Sequence, residues 1–117
     1  MKIQQLTVVG AGTMGNGIAH TFAQHGFSVL LYDTATAQLD KALQTIAKNL
    51  NRQLQKGKIS EALKIECLGN IQTTTEKERA FSQADLIIEA VSENQAVKKQ
   101  VFKDIEHYRK NNYILAS

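Results

Sequence analysis

The sequence predicts an α/β domain built on a doubly wound parallel sheet. Three observations carry this. Short apolar runs alternate with amphipathic stretches along the chain. The connections between successive runs are too long for hairpins, so the strands must be parallel and joined by right-handed crossovers. A glycine turn, Gly10-Ala11-Gly12-Thr13-Met14-Gly15, separates the first apolar run from the first amphipathic stretch.

Residues 3–9 contain β-branched and apolar residues and end at Gly10, which predicts a buried strand feeding the turn. Thr13–Gln24 carries Ile18, Ala19, Phe22 and Ala23 at helical spacing, with Gly26 as its stop. Residues 28–32 form a second short strand, closed by Asp33. Thr34 or Thr36 then caps a long helix reaching about residue 55. Leu39, Leu43, Ile46, Leu50 and Leu54 share one of its faces, and Lys41, Lys48, Arg52 and Lys56 share the opposite one. Gly57 ends it, and Ser60 caps a shorter helix over 61–67.

Residues 71–73 predict a short strand and 76–81 a short helix. Residues 85–91, Asp-Leu-Ile-Ile-Glu-Ala-Val, read as a strand buried on both faces. Ser92 and Asn94 are cap candidates for a helix over 94–110, with Val97, Val101, Phe102 and Ile105 as its stripe. Residues 113–115 open another strand. A doubly wound sheet continues from such a strand, so residues 1–117 are expected to be one incomplete domain of a longer protein.

Bulk properties bound the function. A length of 117 residues suits one domain, and a 43% hydrophobic fraction supplies one core. No run approaches the roughly 20 apolar residues of a membrane helix, and no secretory pattern opens the chain. The single cysteine, Cys67, excludes an internal disulfide, and a cytoplasmic protein is expected. No Cys or His spacing suggests a metal site. The net charge of +3 is unevenly spread: Lys41, Lys48, Arg52, Lys56, Lys58 and Lys64 lie close together in sequence. Such a patch is either a solvated face or an attractor of phosphates. No aromatic residues interleave with it, which argues against nucleic acid.

The glycine turn carries the chemistry. It follows a strand, opens a helix, and has an acid, Asp33, eighteen residues after its last glycine. Gly10 permits the tight turn, Gly12 lets backbone approach a pyrophosphate, and Gly15 lets helix pack on strand. The N–H groups at the helix start then face the phosphates. Together these mark a Rossmann-type dinucleotide site. Asp33 can accept hydrogen bonds from both hydroxyls of the adenosine ribose and would repel a 2′-phosphate, favouring NAD over NADP. It can also cap the following helix, and the two roles can coexist.

Four segments resemble the 3-hydroxyacyl-CoA dehydrogenases: Gly-Ala-Gly-Thr-Met-Gly-Asn-Gly-Ile-Ala at 10–19, Leu-Gln-Lys-Gly-Lys-Ile at 54–59, Asp-Leu-Ile-Ile-Glu-Ala-Val-Ser-Glu-Asn at 85–94, and Ile-Leu-Ala-Ser at 114–117. The third segment, with Lys98 five residues after its second glutamate, is the most specific. The resemblance implies an NAD-dependent oxidation of the 3-hydroxyl of acyl-CoA, as in bacterial 3-hydroxybutyryl-CoA dehydrogenases and fatty-acid oxidation multienzymes. It places NAD on Gly10, Ala11, Gly12, Thr13, Met14, Gly15, Asp33, Val91, Ser92, Glu93 and Lys98. Read without the resemblance, Glu93 is a helix N-terminal acid and Lys98 a solvated helix residue.

A family serine and lysine on the long helix contact CoA; their places here are Asn49 and Lys56. Asn49 departs from the serine, though an amide still donates a hydrogen bond. The family's catalytic serine, His–Glu pair and asparagine fall beyond Ser117, and a homodimer is implied for the full-length protein. His20, His25 and His107 read as surface or helix-end histidines, and Cys67 as a structural thiol. Two readings follow: the cofactor domain of such an enzyme, binding NAD without turnover by itself, or a stand-alone NAD-binding or sensing module. Coding sequence continuing past Ser117 with Asn-Thr-Ser and then His-Phe-Phe-Asn-Pro selects the first.

Overall fold

Five strands, β1 (Leu6–Val9), β2 (Val29–Tyr32), β3 (Ile71–Thr74), β4 (Leu86–Glu89) and β5 (Ile114–Ala116), pair in parallel in the order β3-β2-β1-β4-β5. This is seen in a computed structural model that describes residues 2–91 and 94–117. The helices are α1 (Thr13–Gln24), α2 (Thr36–Gln55), α3 (Glu61–Gly69), α4 (Lys77–Phe81) and α5 (Gln95–Tyr108). Val8 lies opposite Leu31 on one side and Ile88 on the other. The chain steps outward from β1 to β2 to β3, then returns to place β4 on the far side of β1, as expected of a doubly wound sheet.

Side chains alternate across a strand, and the core divides accordingly. Leu6, Val8, Leu31, Ala19, Ile46 and Leu50 belong to one buried cluster. Val9, Tyr32, Phe81, Ile87, Val101 and Ile105 form the other. This is why residues 6–9 and 29–32 are buried along their whole length, Thr7 included: helices cover both sides. Of the predicted α2 stripe, Leu39, Ile46 and Leu50 are buried and Leu43 and Leu54 half-buried, while Lys41, Lys48, Arg52 and Lys56 are exposed.

The stop signals also hold. Gly26 takes φ +91°, its N–H donates to the Ala23 carbonyl, and the Phe27 N–H donates to the Phe22 carbonyl. Gly57, at φ +72°, ends α2 in the same way. Both pairs satisfy terminal carbonyls that a helix leaves open. Ser60 caps α3 by accepting the Leu63 N–H, and Asn94 caps α5 by accepting those of Ala96 and Val97. The cap role expected of Ser92 lies outside the described residues.

Four expectations need correction. Neither Thr34 nor Thr36 caps α2; Ala35 occupies the cap position and its N–H is taken by the Asp33 carboxylate. The first strand starts at Leu6 and not at residue 3, because the N–H groups of Gln4 and Gln5 both donate to Asp85 Oδ2. Asp85 therefore stands before β4 as a clamp and not within it. On α5 only Val101 and Ile105 of the expected stripe are buried; Val97 and Phe102 are 42% and 37% exposed. Among the described residues no helix is long and apolar enough to cross a membrane.

The Asp85 clamp has a pH signature. Its Oδ1 pairs with Lys110, and this bond, with those from Gln5 and Gln4, holds its carboxyl at about 2, below the ordinary 3.8. A depressed carboxyl stabilises the fold above its unfolded pKa and ceases to do so as pH falls through its folded pKa. Thermal unfolding followed by circular dichroism should therefore show stability falling between pH 4 and pH 2. Asp85→Ala should lose about 2 kcal/mol at neutral pH, since two backbone donors lose their acceptor. Its melting temperature should then vary less with pH across that window.

Candidate functional site

The loops after β1 and β4 leave the sheet in opposite directions, since α1 and α5 cover opposite faces. A crevice opens where they part, at the carboxyl ends of the strands, as such topology requires. It measures about 500 Å³. Gly10 and Gly12 border it from β1, Asp33 and Thr34 from β2, and Ala90 and Val91 from β4. Lys77 of α4 and Val97, Gln100, Val101 and Asp104 of α5 complete its far wall.

The structure itself requires two of the three glycines of the turn, Gly10 and Gly15. Gly10 takes φ +104°, and a Cβ there would lie 2.9 Å from the Ala90 carbonyl oxygen. Its N–H donates to the Tyr32 carbonyl, joining the turn to β2. A Cβ on Gly15 would lie 1.6 Å from the Gly10 carbonyl oxygen, so α1 rests directly on the turn. Gly12 is exposed, and a Cβ there meets nothing within 4 Å. The open space over Gly12 is where an incoming phosphate would come close. No side chain caps α1, so the N–H groups of its first turn, from Thr13, Met14 and Gly15, are left for such an anion.

Asp33 makes two backbone contacts, neither of them a side-chain cap on α2. Its Oδ1 accepts the Ala35 N–H at the entry to α2, and its Oδ2 accepts the Ala11 N–H, both at 2.9 Å. The second bond ties the glycine turn to the end of β2. Each oxygen keeps a further lone pair for a hydroxyl donor.

At the exit of β4, the Val91 N–H donates to Glu89 Oε2 at 2.8 Å. Glu89 is buried, and its Oε1 lies 3.9 Å from the Lys98 ammonium. Lys98 thus does reach back from α5 toward β4, although it does not border the crevice. Ser92 and Glu93 lie outside the described residues.

The two residues expected to meet CoA stand apart along α2, as their seven-residue spacing requires. Asn49 borders a groove of about 470 Å³ between α1 and α2, beside His20, His25 and Arg52. Lys56 is exposed at the C-terminal cap of α2, about 10 Å further along the helix axis. His20 proves buried, a correction to its surface reading, with Nε2 2.8 Å from Gln24 Oε1. His25 is a helix-end residue, with Nδ1 2.8 Å from the Thr21 carbonyl. Cys67 is fully buried, and burial pushes its thiol pKa up, as suits a structural role.

Sequence reasoning missed Glu89, Lys77, Gln100 and Asp104. A carboxylate inside an apolar strand was the available signal for Glu89. The other three come from two helices distant in sequence, and nothing in the linear order pairs them. Lys77 Nζ lies 3.2 Å from Asp104 Oδ2, which raises the lysine pKa, and the Gln100 amide donates to Asp104 Oδ1 at 3.0 Å.

The chain matches a family profile described as the NAD-binding domain of 3-hydroxyacyl-CoA dehydrogenase, over residues 5–117. It is 42% identical over 113 residues to a 3-hydroxybutyryl-CoA dehydrogenase of Clostridioides difficile, covering 97% of this chain and 40% of that protein. It is 38% identical to a fatty acid oxidation complex subunit alpha of Psychrobacter cryohalolentis, covering 98% of this chain and 16% of that one. The crystal structure of (S)-3-hydroxybutyryl-CoA dehydrogenase from Ralstonia eutropha superposes with a TM-score of 0.93 at 36% identity, over 97% of this chain and 40% of that one.

Proposed function

Because this chain belongs to the NAD-binding domain family of the 3-hydroxyacyl-CoA dehydrogenases, we propose that its crevice holds NAD for the oxidation of a 3-hydroxyacyl-CoA. The observation that carries the reading is the conjunction at one switch point of two sterically required glycines, Gly10 and Gly15, and open space over Gly12, with Asp33 bonded to the turn at Ala11. When bound, NAD supplies the hydride acceptor. Everything else is done by the chain. The turn over Gly12 and the first N–H groups of α1 hold the pyrophosphate. Asp33 orients the adenosine ribose through its remaining lone pairs. By the family resemblance Val91, Ser92, Glu93 and Lys98 would serve the nicotinamide end; Glu89 accepts the Val91 N–H and pairs with Lys98.

The acyl-CoA would lie with its phosphates toward the basic face of α2, on Asn49 and Lys56, with Arg52 between them. None of His20, His25 and His107 borders the crevice. We therefore expect these 117 residues to bind NAD without turning over substrate. The proton-transferring groups, and the contacts of a homodimer, would belong to the full-length protein.

The test is paired. Calorimetry should show NADH binding more tightly than NADPH, and the same sample should not reduce acetoacetyl-CoA. Equal or tighter NADPH binding would contradict the role of Asp33. Clear turnover would contradict the expectation that this chain lacks the chemistry.

A further inference from the structure

We infer that Asp104 is a second determinant of cofactor selectivity, acting by sequestering Lys77, the one cation among the described residues that border the crevice. This rests on the reading of the crevice as an NAD site. The charged groups described on its walls are Asp33, Asp104 and Lys77. Asp33 marks the ribose, and its carboxylate opposes a 2′-phosphate. Lys77 would offset that opposition if its ammonium were available, because a lysine on a flexible stem is a good phosphate partner.

Asp104 takes that ammonium at 3.2 Å and is itself fixed by Gln100 through its other oxygen. Its side chain is 16% exposed against 40% for Lys77, so the carboxylate is the fixed member of the pair. The walls then carry two negative charges and one positive charge. A 2′-phosphate meets a net negative crevice, whereas a ribose hydroxyl does not discriminate in this way. Selectivity for the unphosphorylated cofactor is thus set by two carboxylates on different elements, one at the end of β2 and one on α5.

The experiment is NADH and NADPH titration of the 117-residue chain by calorimetry, with melting temperatures alongside. Asp104→Asn keeps an oxygen for Gln100 and removes the charge that holds Lys77. It should tighten NADPH by about fivefold, the scale of an exposed charge pair, and leave NADH within about twofold. Lys77→Met should weaken NADPH and spare NADH, because it leaves both carboxylates uncompensated. The double variant should lose the gain of D104N, since the lysine that would meet the phosphate is gone. An unchanged NADPH-to-NADH ratio in D104N, or a gain that survives in the double variant, overturns the inference. Should D104N fail to fold, K77M decides by itself through the same ratio. A wild-type chain that binds neither cofactor overturns the NAD reading, a result distinct from wild-type NADH binding with unresponsive variants.

Discussion

Gly15→Ala should abolish measurable NADH binding and lower the unfolding free energy by about 3 kcal/mol or more. The added Cβ would sit 1.6 Å from the Gly10 carbonyl oxygen and 2.8 Å from its carbon. Neither atom can give way. The Gly10 N–H is bonded to the Tyr32 carbonyl, and the space above Gly10 is closed by the Ala90 carbonyl. The strain must therefore lift α1 from the sheet, where Ala19 and Ala23 are buried and Ile18 and Phe22 pack against the same core. Gly12→Ala is the contrasting variant. Its Cβ enters open space, so stability should hold while NADH affinity falls by at least about tenfold, the methyl occupying the phosphate approach. Chemical denaturation and calorimetry on both variants separate the effects. A Gly15→Ala protein that binds NADH like wild type would show that the close approach of α1 to the turn is not what shapes the site.

What could be read in the sequence was what local pattern dictates. The glycine turn, the strand–helix alternation, the α2 stripe and the helix stops at Gly26 and Gly57 each follow from spacing or from a backbone conformation that few residues tolerate. Element starts were less legible, because long-range partners set them. Asp85 pulls Gln4 and Gln5 out of the strand from eighty residues away. At the start of α2 the cap position falls to Ala35, whose N–H donates to Asp33, and neither threonine serves it. Half of the α5 stripe is exposed because that helix turns Val97 toward the crevice and Phe102 away from the core. The same physics hid part of the site. Gly10 to Gly15 and Asp33 are reached through local signals, whereas the Lys77–Asp104 pair exists only once α4 and α5 meet across Tyr32 and Phe81.

Asp33→Ala should weaken NADH binding by at least about a hundredfold, through two separate losses. A hydrogen bond to a charged group contributes about 1.5–3 kcal/mol, and two ribose hydroxyls are involved. The carboxylate also accepts the Ala11 N–H, whose residue is 2% exposed and sits between the first two glycines of the turn. Without that acceptor a buried donor is left unpaired, at about 1–2 kcal/mol. The turn then loses its tie to β2 before any cofactor arrives. Part of the affinity loss should therefore appear as disorder of the free protein. Amide hydrogen exchange at Ala11 without cofactor should accelerate in Asp33→Ala. Asp33→Asn should fall between the two, because one amide oxygen can serve Ala11 or Ala35 but not both. If Asp33→Ala loses NADH while exchange at Ala11 is unchanged, Asp33 acts on the ribose only. Exchange that quickens in step with the affinity loss makes the same carboxylate both the reader of the ribose and the clamp on the pyrophosphate turn. A substitution at Asp33 meant to admit NADP would then also have to restore the bond to Ala11.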